Sequence, residues 1–114
     1  MKPFEELAGL NRLIHEPARL AIMTALSACR SADFLFLEKI TGLTRGNLSS
    51  HLSKLEEAGL VRIEKQFIGK TPNTNVSLTD KGRATIEYHW TQLERLRQEV
   101  RQWEVNFKQQ SDNT

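Results

Sequence analysis

The sequence is poor in the groups that covalent or metal chemistry needs. It has one cysteine, Cys29, in 114 residues, so no intrachain disulfide framework is possible. No Cys-x-Cys or Cys-x-x-Cys occurs, and His15, His51 and His89 are not spaced as ligand pairs at i, i+3 or i+4. No P-loop, nucleophile elbow or carboxylate dyad is visible. Neither an enzyme nor a metal or other cofactor is expected. No run of about 18 apolar residues appears, so no membrane span is expected. The N-terminus lacks a charged start followed by an apolar h-region, so no secretory signal is expected. These gaps suggest a cytoplasmic protein. Its 39% hydrophobic content suffices for one modest core.

What is present is distributed unevenly. The net charge is +2, but residues 44–83 alone hold seven basic and four acidic side chains. The basic ones are Arg45, Lys54, Arg62, Lys65, Lys70, Lys81 and Arg83. A local positive excess is a weak electrostatic footprint for a polyanion.

Apolar spacing divides the chain into elements. Phe4, Leu7, Leu10 and Ile14 predict a first helix over 4–14. Pro17 suits the first turn of a second helix, with Ile22, Leu26 and Cys29 on its inner stripe and Leu20 and Met23 widening it. The thiol of Cys29 then reads as a structural core group. "FLFLEKI" predicts a short third helix entered from an extended segment near Phe34, and Gly42 ends it. Thr44 is a good N-cap for a fourth helix whose inner stripe is Leu48, Leu52 and Leu55. Gly59 and Leu60 fit a Schellman ending, with Leu60 against Leu55. "LVRIEKQFI" alternates as a strand with Val61, Ile63 and Phe67 on one face. "GKTPNT" reads as a turn-rich loop, and "NVSLT" as a second strand with Val76 and Leu78 inward.

The fourth helix has an unusual outer face. Gly46, Ser50, Ser53 and Lys54 lie opposite the leucines, with Asn47 and Ser49 on the flanks and Arg45 at the helix start. Serine is a middling helix former, and a merely soluble face would use Glu, Lys and Gln. Short hydrogen-bonding side chains let a helix approach closely inside a major groove about 12 Å wide. Glu56 and Glu57 fall in the last turn, which fits entry by the N-terminal half alone.

A short helix joined by a glycine-containing turn to another helix is a helix-turn-helix, and a hairpin directly after it is a wing. The words "LIHEPARLAIMTAL", "DFLFLEKITGLTRGNLSSHLSKLEEAGLV" and "VSLTDKGR" resemble winged-helix transcriptional regulators of the MarR/ArsR-like superfamily. They resemble in particular the small group called simply the winged helix DNA-binding domain. The resemblance covers roughly residues 10 to 88. It implies a hairpin lying along the phosphate backbone or dipping into the minor groove, with Lys65, Lys70 and Thr71 as wing contacts. Asn73 and Thr74 share that loop. Lys81 and Arg83 open the next helix and are either phosphate contacts or surface charges. The cysteine motif of the metal-sensing branch is missing, so metal sensing is not expected.

From Asp80 to about Gln109 the chain has no proline, and no glycine after Gly82. Ile86, Leu93, Val100 and Phe107 recur every seven residues, with His89, Leu96 and Trp103 at the second seam position and Trp90 on a flank. This heptad pattern predicts a helix that pairs with a second copy, its early part packing back on the first helix. The polar end "QQSDNT" is expected to fray.

The expected fold is mainly α with a small antiparallel β-hairpin: a winged helix-turn-helix with a long C-terminal helix. Residues 1–83 would form the DNA-binding domain, and 84–114 the dimerisation helix and tail. The expected function is that of a homodimeric, sequence-specific transcriptional regulator, a repressor by occlusion, on double-stranded DNA. Arg45, Asn47, Ser49, Ser50, Ser53, Lys54, Lys65, Lys70 and Thr71 would touch DNA. Ile86, Trp90, Leu93, Leu96, Val100, Trp103 and Phe107 would hold the dimer. The alternative is a winged helix serving as a protein–protein interaction module, which should show exposed apolar residues on the fourth helix. Operator and effector are not legible.

Overall fold

A computed structural model describes residues 2–112, with side-chain surroundings through Trp103. The first helix, α1 (Lys2–Ala8), is shorter than its apolar spacing predicts. Gly9 follows it, and the Asn11 side chain then accepts from the Leu13 backbone N–H at 3.0 Å, an Asx turn that competes with helix. Leu10 and Ile14 still turn inward, at 8% and 0% exposure. Glu16 caps α2 (Pro17–Ser27), its carboxylate accepting from the Arg19 N–H at 2.8 Å, and Pro17 sits at the helix start as expected. Cys29 falls beyond α2 and is only partly buried, its Sγ 3.5 Å from the Ala25 carbonyl.

The extended segment before the third helix is a two-residue strand, β1 (Ala32–Asp33). Asp33 then caps α3 (Phe34–Thr41), and Gly42 ends it with φ 71°. Thr44 caps α4 (Arg45–Glu57), accepting from the Asn47 N–H at 3.2 Å. The end of α4 is the expected Schellman motif: Leu60 N–H donates to the Leu55 carbonyl at 3.0 Å and Gly59 N–H to Glu56 at 2.9 Å.

The hairpin is longer and its loop tighter than the sequence suggests. Strand β2 (Val61–Ile68) pairs with β3 (Thr71–Leu78) over eight residue pairs, and only Gly69 and Lys70 form the loop. Gly69 has φ 65°, and no non-glycine residue among those described has a positive φ. That pattern is a type II′ turn, whose twist suits a two-residue hairpin. The strand extends through Pro72 because the Phe67–Pro72 pair falls at a non-hydrogen-bonded position, where proline's missing N–H costs no ladder bond. The sheet order is β1-β3-β2, with Ala32 opposite Val76.

Helix α5 (Asp80–Asp112) runs through the region expected to fray; Asn113 and Thr114 lie outside the described residues. Thirty-three residues span about 50 Å at 1.5 Å each. The core packs Ile22, Met23 and Leu26 of α2 against Leu48, Leu52 and Leu55 of α4, Val76 of β3 and Ile86 of α5.

The seam expected along α5 is partly interior to this chain. Ile86 belongs to the core at 0% exposure, and Leu96 is 0% exposed as well, so neither has surface for a partner. The reason is that the first turns of α5 close the core and α1 lies along the later turns. Phe4 meets Trp103 edge-on at 5.2 Å, and Arg95 bonds both Glu6 of α1 and Glu99. The Arg95 guanidinium holds the Glu6 carboxyl below its usual range. His89 is also interior, 3.0 Å from His15. Leu93 and Val100 stay half-exposed, and Trp90 and Trp103 are each 39% exposed. The side chain of Phe107 lies outside the described residues.

Candidate nucleic-acid interface

With Leu48, Leu52 and Leu55 buried, each stabilising the fold by about 1.5–3 kcal/mol, the rotation of α4 about its axis is fixed. A second restraint comes from α2. Arg19 donates from Nη1 to His51 Nδ1 at 3.2 Å, and the Glu16 carboxylate is 3.7 Å from the same nitrogen. Arginine can only donate, so Nδ1 of His51 is the acceptor. Burial would raise the Glu16 carboxyl, but the backbone N–H groups of Arg19 and Ala18, with His51 and Arg19 nearby, hold it below its usual range. His51 thus serves as a contact between α4 and the start of α2.

The remaining faces of α4 are open. Arg45, Asn47, Ser49, Ser50, Ser53 and Lys54 are all exposed. Arg45, Ser49, Ser53 and Glu56 turn toward the wing and line one wall of a groove of about 730 Å³. Ile63, Lys65, Pro72, Asn73 and Thr74 form the opposite wall, and Phe34 and Leu35 close one end. The structure therefore brings Arg45, Ser49, Ser53 and Lys65 together around one groove. Gly46, Ser50 and Lys54 lie on the outermost face and do not line it. Lys70 occupies the hairpin loop itself and Thr71 the first position of β3, both exposed.

Arg45 is held ready but not buried. Its Nε is 3.4 Å from Glu38, its guanidinium lies 5.7 Å over the Phe34 ring, and its side chain is 71% exposed. Such an exposed pair is worth at most about 1 kcal/mol, which a phosphate or guanine edge can outcompete. Glu56 also lines the groove, although its place in the last turn of α4 predicts that it stays out of contact. Gly46 is exposed within the first turn, and a Cβ built there would meet nothing within 4 Å. Nothing inside the chain requires glycine at that position.

The motif "LTDKGR" has an internal explanation that sequence reasoning missed. Thr79 Oγ1 donates to the Gly59 carbonyl at 2.6 Å and accepts from the Gly82 N–H at 3.0 Å. Lys81 Nζ reaches the Ala58 carbonyl at 3.1 Å, and Arg83 Nη1 the Ser27 carbonyl at 3.2 Å. Each cation thus serves a helix C-terminus, where carbonyls lack partners and the dipole is negative. A Cβ on Gly82 would lie 1.9 Å from the Leu60 carbonyl oxygen, so only glycine fits. Lys81 and Arg83 bolt α5 to the ends of α4 and α2. Among the described residues no group of His, Cys, Asp and Glu could hold a metal ion, and no helix is long and apolar enough to cross a membrane.

Comparison with known proteins agrees with this geometry. The family model described as winged helix DNA-binding domain matches residues 18–97. The solved transcriptional regulator homologue of Pyrococcus horikoshii is 33% identical, covering 88% of this chain and 98% of that one at a TM-score of 0.79. An uncharacterized protein of Methanocaldococcus jannaschii is 29% identical over 89 residues, 78% of this chain and 97% of that one. A MarR-family transcriptional regulator of Silicibacter pomeroyi shares the fold at 22% identity, with a TM-score of 0.63 over 97% of this chain and 78% of its own. The helix-turn-helix, the wing and the long C-terminal helix α5 are thus those of a known architecture, and the chain belongs to the winged helix DNA-binding domain family.

Proposed function

We propose that the protein is a transcriptional repressor that binds an inverted repeat in double-stranded DNA as a homodimer and acts by occluding its site. One observation carries the reading: Arg45, Ser49 and Ser53 of α4 face Lys65 of the wing across an open groove, on exposed surfaces. The N-terminal half of α4 enters the major groove, with Arg45, Ser50 and Ser53 toward base edges, Asn47 and Ser49 toward the flanks, and Lys54 on the outer face toward phosphate. Lys65, Lys70 and Thr71 then run along the neighbouring phosphates. Phosphate contacts set position, and base contacts set sequence.

The dimer half of the reading rests on the length of α5 and on the apolar surface it leaves. Leu93 and Val100 are half-exposed, and Trp90, Trp103, Phe4 and Leu7 each keep between 37% and 39% exposure. A second copy against this surface would protect them, each fully buried large side chain adding about 1.5–3 kcal/mol. One recognition helix and one wing offer a small area for specific binding, and a two-fold dimer doubles it. The protein-interaction alternative draws on a different patch, the exposed Leu35, Phe36 and Ile40 of α3, because the outer face of α4 has no apolar residue.

Selection of bound duplexes from a random pool, combined with sedimentation, tests the proposal. Enrichment of an inverted repeat with half-sites about 34 Å apart, one helical turn, is expected. Leu93→Glu with Val100→Glu should yield a folded monomer with little specific binding. No enrichment from the pool would sink sequence-specific recognition. A double variant that remains dimeric would remove this surface from the interface.

A further inference from the structure

The far end of the wing has a composition that neither folding nor solubility asks for. Phe67 and Ile68, adjacent at the hairpin tip, are 72% and 64% exposed. Between Lys65 and Thr79 the chain carries two lysines and no aspartate or glutamate. An apolar pair at a ribbon end whose only charges are Lys65 and Lys70, with Glu64 one residue nearer the core, suits a partner that is anionic outside and apolar between its layers. Duplex DNA has that character, with phosphates along the grooves and stacked base faces within.

The ribbon is also built to push. Its strands pair without slip from Val61–Leu78 to Ile68–Thr71, and the loop is two residues. Ile63 is the last residue of β2 packed against the core, so five residues project beyond it, about 16 Å at 3.3 Å each. Strand alternation puts Phe67 on the same face as Lys65, the face that lines the groove beside α4. Phe67 stands opposite Pro72 at a non-hydrogen-bonded pair, the spacing at which cross-strand side chains come closest. Pro72 therefore sits beside Phe67 on the same face of the ribbon. Ile68 covers the other face of the same tip.

We propose that Phe67, with Ile68 behind it, is a wedge that enters the minor groove and partly unstacks a base step, so that the protein kinks the DNA it binds. The proposal rests on the reading that this chain binds duplex DNA. Apolar wedges of this kind kink DNA by roughly 20–90° toward the major groove, which brings more duplex against the protein. Here that direction folds the duplex around α4. The cost of unstacking depends on the step, and pyrimidine–purine steps open most easily. The wing thereby prefers such a step without any polar contact to its bases.

The test uses the full chain and a 30-base-pair duplex taken from the random-pool selection. 2-Aminopurine is placed at successive steps, and donor and acceptor dyes at the two ends. Wild type should raise 2-aminopurine fluorescence at one step per wing and bring the dyes closer. Phe67→Ala should abolish both signals and weaken binding about tenfold, or about 1.4 kcal/mol, while leaving the salt slope unchanged. Phe67→Leu should restore part of both signals. Lys70→Ala should do the reverse of Phe67→Ala, flattening the salt slope by about one unit and keeping the fluorescence rise. Because Phe67 is exposed, these variants fold, and circular dichroism checks it. Wild-type binding without a fluorescence rise or bend overturns the wedge and leaves DNA binding intact, as does a Phe67→Ala variant that keeps both signals. Failure of wild type to bind any duplex overturns the DNA reading and the wedge with it.

Discussion

Thr44-Arg45-Gly46-Asn47 opens α4, and Thr79-Asp80-Lys81-Gly82-Arg83 opens α5. Both begin with a threonine whose hydroxyl accepts from the backbone N–H three residues on, at 3.2 Å and 3.0 Å. Both place a glycine and at least one cation in the first turn, Arg45 at α4 and Lys81 and Arg83 at α5. At α5 every one of these groups has a use inside the molecule. Lys81 and Arg83 serve two helix ends, and Gly82 makes room for the Leu60 carbonyl. At α4 the same kinds of residue look outward. Arg45 is 71% exposed beside its one carboxylate, and Gly46 has open space where its side chain would be. The same short vocabulary is structural where the chain closes on itself and turns to open surface, the proposed DNA face, where it does not.

The comparison breaks most visibly at Gly82. Gly82→Ala forces a methyl into a backbone carbonyl, so a loss of about 3 kcal/mol or more is expected in thermal or urea unfolding. A variant with wild-type stability would show that the α4–α5 junction is looser than described.

Acid should act next, also on the α5 side. Burial, then the neighbouring His15, pushes the His89 imidazole below its usual 6.5. The unfolded chain therefore takes up the proton more readily than the folded one. Stability should be level above 6.5 and decline as pH falls below it. Melting temperatures across that range check the sign. A profile that stays level would mean that the His15–His89 pair opens to water without cost.

The smallest effect is expected at Gly46, and it should be split between two readouts. Alanine there fits the space and improves helix propensity, adding up to about 0.5–1 kcal/mol of stability. Affinity for the selected duplex should nevertheless fall, because a methyl would stand off the DNA backbone. If both stability and affinity rise, the outer face of α4 is not in close contact with DNA.

These contrasts also explain what the sequence made legible. Leu48, Leu52 and Leu55 identified α4 because burial imposes a 3.6-residue rhythm, and Gly59 with Leu60 identified its end because a Schellman motif needs both. The end of α1 is not legible in the spacing, because Gly9 and the Asn11 side chain act locally while Leu10 and Ile14 stay inward at helical spacing. Pro72 and Asn73 look like turn formers, which suggests a six-residue loop; pairing register, a long-range property, makes them strand. On α5 the heptad was real as a pattern, but Ile86, His89 and Leu96 owe it to partners within the chain. The exposed polar face of α4 was legible because serine, asparagine and glycine are unusual choices for a merely soluble helix surface. Glu56 escaped because a carboxylate near a helix end looks like ordinary solvent surface.

The junction at Gly82 also has a metrical consequence. The last turn of α4 is tied to the first turn of a rod about 50 Å long. If two such rods are joined along their lengths, the angle at which each leaves its junction fixes how far apart the two recognition helices stand. Operator spacing is then written at residues 58–60 and 79–83, none of which needs to touch DNA, and a change there would alter the ruler while leaving the letters it reads the same.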